Sequence, residues 1–183
     1  MKTKSDQVKS EPIIGVVAFA FGMPSTVHSN ILIADIARDV ARNLGNHDHQ
    51  ILPVFTQTGV RIEAVGQLDI PVEYLEQSRR YTPTTLQVAR GAVRWAMRRG
   101  ITKIIVVAAR PHLKRCMRDM SSTIHGVGAE IEVTYSRHVN MVPIEDWFCQ
   151  DSLQPRTRSR RRWWIKESIL KVVPFFIYKL IAC

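Results

Sequence analysis

The chain lacks most of the features that fix a chemistry outright. Its 183 residues contain three cysteines, Cys116, Cys149 and Cys183, with no CxxC pair and no metal-ligand spacing. That usage fits a reducing cytoplasm better than a disulfide scaffold. No run of 18 apolar residues occurs, so no membrane-spanning helix is expected. Met1 to Glu11 is polar and charged, without the hydrophobic stretch of a signal peptide. Glycine is scarce where phosphate loops need it. Gly15 lies inside an apolar run and Gly22 stands alone, so the dinucleotide fingerprint is missing. There is no GxSxG elbow, no HExxH and no internal repeat.

Acidic residues are short too: 16 against 26 basic ones, giving +10 and an isoelectric point near 10.0. The imbalance is local. Asp151 to Cys183 has eight Lys/Arg and two Asp/Glu, more than half of the net charge in under a fifth of the chain. The remaining composition, 45% hydrophobic and 23% charged, is that of an ordinary globular domain long enough to bury a core.

What is present is a succession of buried-type strands and amphipathic helices. Ile13 to Phe21 reads as a central strand, followed by the turn-forming loop Gly22–His28. A helix is expected from about Asn30, capped by Ser29 or Asn30, with Ile33, Ile36, Ala37, Val40, Ala41 and Leu44 inward and Gly45 closing it. Asn46-His47-Asp48-His49 is polar linker, since adjacent residues rarely converge on one metal ion. Ile51 to Phe55 reads as a strand that Pro53 confines to an edge or shortens. Val60 to Asp69 shows no period, and Ile70 to Leu75 suggests a third strand. Thr82 and Pro83 are expected to start a helix with Leu86, Ala89, Val93 and Ala96 on its core face and Gly100 at its end. Ile104 to Ala109 is another doubly buried strand, and Glu130 to Tyr135 a fifth.

Strands and helices alternating at this length predict an α/β fold with a mostly parallel, doubly wound sheet. If the strand order is 3-2-1-4-5, the first and fourth strands flank the switch point, outside whose carboxyl ends ligands bind. The loop Phe21–Ser29, with Ser25, Thr26 and His28, then faces Arg110–Arg115, and Ser78–Thr85 can reach in. After Arg110-Pro111 the helical stripe Leu113, Cys116, Met117, Met120 and Ile124 turns inward, making Cys116 a core residue. His112 and Arg115, three apart, share a different face near a helix start that favours anions. A solvated first turn with a stray histidine is the plainer reading. The site reading makes His112 the candidate catalytic group and Arg110 and Arg115 anion contacts. No cofactor and no metal are assigned.

With these residues placed, the chain resembles the YdcF/SanA-like family of bacterial proteins, which has a Rossmann-like α/β/α fold and no settled activity. The family's Thr-x-Glu-Asn-Ala helix motif is read here at Thr85-Leu86-Gln87-Val88-Ala89, and its strand-to-helix signature at Val107 to Cys116. A similar Trp-x-x-Glu helix starts at Trp164-Ile165-Lys166-Glu167 and runs through Tyr178. The resemblance implies that Thr85, His112 and Arg115 are pocket residues, with Gln87 at the place of the family's glutamate. The departures are Gln87, Val88, Ala108 and Ala109, and Phe55-Thr56-Gln57-Thr58-Gly59 where the family has Ser-Gly-Gly. Losing a carboxylate, an amide and a hydroxyl reduces general acid/base capacity while leaving anion binding open.

The second informative stretch is the C-terminal segment. Arg156, Arg158, Arg160, Arg161 and Arg162 fall within seven residues and precede Trp163-Trp164. Arginines at this density bind polyanions, either an acidic membrane surface or nucleic acid. The apolar helix that follows either packs on the core with its lysines at the rim or lies at a lipid interface. The expected organisation is a polar segment 1–11, an α/β core 12–148 and a basic linker with amphipathic helix 149–183. Two functions stay open. One is a crevice for a phosphate- or carboxylate-bearing small molecule, with or without turnover. The other is a non-catalytic module whose arginines engage the inner membrane face or nucleic acid, from a cytoplasmic location.

Overall fold

The two longest apolar, β-branched runs become the central strands, shorter strands flank them, and the 3.6-period stripes become helices laid against the sheet. In the computed structural model, which describes residues 11–45, 51–62, 70–75 and 83–172 (side chains of the last helix as far as Ser168), the strands are β1 (Ile14–Phe19), β2 (Val54–Thr56), β3 (Val72–Tyr74), β4 (Lys103–Ala108) and β5 (Glu132–Tyr135). The helices are α1 (His28–Asn43), α2 (Thr85–Arg98), α3 (Arg110–Gly126) and α4 (Arg160–Val172). His47–His49, Ser78–Thr82 and the apolar residues after Val172 lie outside the described residues.

All pairings are parallel, in the order β3-β2-β1-β4-β5. β1 and β4 are neighbours, in register from Ile14 opposite Lys103 to Phe19 opposite Ala108. Their alternate residues feed two cores. Val16, Ala18, Ile105 and Val107 pack under α1, and Val17, Phe19, Ile104, Val106 and Ala108 pack under α2 and α3. This is the three-layer α/β/α, Rossmann-like arrangement. Gly15 is required by that packing, because a Cβ there would sit 2.6 Å from the indole of Trp95 and 2.8 Å from Ile101. Cys116 is fully buried, as its place on the stripe predicts.

Several local expectations are corrected. β2 is shortened by Pro53 but is interior, with the Pro53 carbonyl accepting from Val16 N–H at 2.9 Å. Proline's missing N–H falls before the paired residues, so the ladder loses nothing. α1 starts at His28, two residues early, and neither Ser29 nor Asn30 caps it. Both turn back to brace the loop after β1. Asn30 Oδ1 accepts from Phe21 N–H at 2.8 Å, its amide donates to the carbonyls of Gly22 and Pro24, and Ser29 Oγ donates to that of Phe21. α2 is capped by Thr84, not Thr82, and Pro83 precedes the helix instead of opening it. Gln87 explains the choice: it stands three residues after Thr84 and closes a reciprocal capping box, donating its N–H to Thr84 Oγ1 while its side chain accepts from Thr84 N–H. In the aperiodic stretch, Val60 and Ile62 are buried in the α1-side core.

The C-terminal segment is also not a free linker. Trp163 belongs to the α1-side core, and Ser152 and Thr157 are buried. Leu153 N–H donates to the Met23 carbonyl at 2.7 Å, tying this segment to the loop after β1.

Candidate functional site

The expected crevice forms at the carboxyl ends of β1 and β4, with a volume of about 560 Å³. Three walls match the sequence expectation: the β1 loop with Ser25, the start of α2 with Thr85, and the start of α3 with His112 and Arg115. A further wall was not expected. It is the 149–158 segment, which crosses above the β1 loop and contributes Gln154, Arg156 and Thr157, with Trp163 behind it. Gly22 makes the crossing possible. Its φ is +109°, and Ser152 Oγ and Thr157 Oγ1 lie 3.1 and 3.3 Å from where a Cβ would be.

Four nominated residues do not line the crevice. Gln87 is spent on the α2 cap. Thr26 and His28 are exposed beyond the turn of the β1 loop. Arg110 points to the other side of Trp163, into a separate groove. Of the five tail arginines only Arg156 enters the crevice. Arg158 donates from Nε to the Ser152 carbonyl at 2.7 Å, Arg160 pairs with Glu145 at 3.2 Å, and Arg161 and Arg162 are exposed. Gln57, in the loop after β2, lines the crevice and is buried, which its sequence context did not indicate.

His112 and Arg115 share a face, but that face is covered, not solvated. His112 is 6% exposed, set between the rings of Phe21 and Trp163. Arg115 lies over the Trp163 indole, 5.1 Å from its centroid, and its Nη1 is 2.7 Å from Glu167 of α4. Arg115 Nη2 is 3.1 Å from His112 Nδ1, and Thr85 Oγ1 is 3.3 Å from His112 Nε2. A guanidinium only donates, so Nδ1 accepts and the ring proton sits on Nε2, which donates to the Thr85 hydroxyl. Burial, and then the charges of Arg115 and Arg156, hold the His112 pKa well below its usual 6.5. The imidazole is therefore neutral near pH 7 and presents a donor, not a basic lone pair, toward Thr85. Thr85 in turn can donate its own hydroxyl proton into the crevice.

The thiol on the α3 stripe is silenced. Burial pushes the Cys116 thiol well above its usual range, outweighing the opposing pull of Arg115. At the rim, partial burial together with Arg156 and Arg115 lowers the affinity of the Lys166 amine for its proton, so cations crowd this corner. Among the described residues no group of three or more His, Cys, Asp or Glu side chains could hold a metal ion. No helix among them is long and apolar enough to cross a membrane.

The fold and this crevice define an α/β protein of Rossmann-like architecture with a cationic cleft at the topological switch point. Compared with protein-family models, with curated proteins and with solved structures, the chain finds no match.

Proposed function

We propose that the crevice binds a small molecule carrying a phosphate or carboxylate group, with Arg115 and Arg156 as its anion contacts. One observation carries the reading. Among the described residues lining the cleft, these two guanidinium groups are the formal charges, and Glu167, the ion-pair partner of Arg115, stands outside that lining. They come from different elements, α3 and the 149–158 segment, so an anion between them would tie the C-terminal segment to the core. Charge-assisted contacts of this kind contribute about 1.5–3 kcal/mol each. Ser25 and Thr85 supply hydroxyls, and Phe19, Val88 and Trp163 give apolar surface for the rest of the ligand. A YdcF/SanA-like pocket is consistent with this reading through Thr85, His112 and Arg115. His112, neutral and donating, is suited to orienting Thr85 toward a ligand oxygen and not to removing a proton from it.

The test is a thermal-shift titration of the full chain with inorganic phosphate, pyrophosphate and small dicarboxylates at fixed ionic strength. A saturable rise in melting temperature is expected, equivalent to about 2.7 kcal/mol at a hundred times the dissociation constant. Arg156→Gln should remove most of that rise, read as the difference between its own liganded and unliganded melting temperatures. If phosphate, pyrophosphate and the dicarboxylates all fail to stabilise the protein more than chloride does, the anion reading falls.

A further inference from the structure

A second concavity lies on the far side of Trp163 from the crevice, between the first turn of α3, the short helix Ile144–Trp147 and α4. Its volume is about 480 Å³, and Arg110, Lys114, Arg160, Phe148 and Trp164 face it. The way α4 is anchored decides what this face presents. Trp163 is buried in the core and Glu167, one turn later, is held at Arg115, so one side of the helix is fixed inward. Trp164 and Ile165 are thereby turned outward and remain 54% and 57% exposed. Arg161 and Arg162 on the same helix are exposed around them, as are Arg110 and Lys114 across the groove. Glu167 lines the groove and is paired with Arg115, and Glu145 on the bordering short helix is paired with Arg160.

We propose that this face docks on an anionic phospholipid surface. Arg110, Lys114 and Arg160 receive a lipid phosphate in the groove, and Trp164 and Ile165 seat among the headgroups. Charge complementarity supplies the attraction, on the order of 1 kcal/mol per basic side chain near an anionic leaflet. The indole supplies the interfacial preference. Ile165 separates this partner from nucleic acid. A base can stack on Trp164, but an exposed aliphatic side chain beside it gains nothing from a nucleotide and does gain from lipid. The sequence after α4 continues in the same vein, with Phe175, Phe176, Ile177, Tyr178, Leu180 and Ile181 around Lys179. The inference does not depend on what the crevice binds.

Tryptophan fluorescence gives a direct test with the full chain. Trp95, Trp147 and Trp163 are 0%, 0% and 4% exposed, so a solvent-sensitive change in emission reports on Trp164. Phosphatidylcholine vesicles containing phosphatidylglycerol should sediment the protein, shift its emission to the blue and, when brominated, quench it; pure phosphatidylcholine vesicles should do none of these. The pair Arg110→Gln/Lys114→Gln should weaken partitioning roughly 30-fold. Trp164→Ser/Ile165→Ser should abolish the blue shift, and neither pair should alter the melt, because all four side chains are exposed. Equal partitioning of parent and Arg110→Gln/Lys114→Gln into anionic vesicles would overturn the groove. Equal binding to neutral vesicles would overturn the charge argument. Salt-sensitive binding to duplex DNA or RNA with no vesicle sedimentation would assign the face to nucleic acid instead.

Discussion

His112 carries a measurable consequence of its burial. Its pKa is held well below 6.5 in the folded protein, while in the unfolded chain it titrates near that value. Between the two values the unfolded state binds more protons than the folded one, so stability rises with pH there and is lost as pH falls below about 6.5. Above that pH the group makes no difference. A denaturant series from pH 7.5 to 5 should show a slope of up to about 1.4 kcal/mol per pH unit, and His112→Asn should flatten it. A slope unchanged by the substitution would mean that other groups govern the acid limb. Arg115 is a different case, because it has two duties. Its side chain is 10% exposed and its partner Glu167 15%, so Arg115→Gln would strand a largely buried carboxylate. A loss of roughly 3 kcal/mol is expected, largely recovered in Arg115→Met/Glu167→Leu. A melt of the single variant matching the parent would show that the pair is not part of the fold. For this reason anion binding by an Arg115 variant is to be read against that variant's own unliganded melt.

At the scale of elements, the start of α2 is held by the capping box of Thr84 and Gln87. Thr84→Ala should lower stability by about 1 kcal/mol. It should also loosen Thr85 at the crevice edge, readable as weaker phosphate binding than the stability change alone explains. α4 is fastened through Trp163, whose ring meets Phe21 edge-on at 4.6 Å and whose Nε1–H donates to the Pro111 carbonyl at 3.2 Å. Trp163→Ala is expected to cost about 3–5 kcal/mol. A chemical-denaturation midpoint indistinguishable from the parent's would return α4 to the status of an appendage. The same side chain divides the crevice from the outer groove, so this variant should merge the two.

For the molecule as a whole, the doubly wound sheet was legible because its signals are local and repeated. Ile13–Phe21 and Ile104–Ala109 are apolar on both faces, which is what a central parallel strand needs, and helical stripes separate them. Strand order then placed the crevice, and with it Ser25, Thr85, His112 and Arg115. Boundaries were less legible. Ser29 and Asn30 have capping chemistry, yet their side chains serve the loop after β1, a choice made by tertiary neighbours and not by the helix. Thr82 and Thr84 are equivalent to a cap rule until Gln87 is counted.

The sequence by itself determined the fold class, the neighbouring pair of central strands and the positively charged end of the chain, since hydrophobic period and charge are properties of the string. Only the tertiary structure decided what each arginine does. Arg156, Arg158 and Arg160 are near-identical in sequence context, but one enters the crevice, one braces a backbone carbonyl and one pairs with Glu145. Likewise the face shared by His112 and Arg115 has no partner in the local pattern, because the helix carrying them offers the core another stripe. The cover over them, Trp163 and Glu167, comes from about fifty residues further along, a separation to which no local pattern is sensitive.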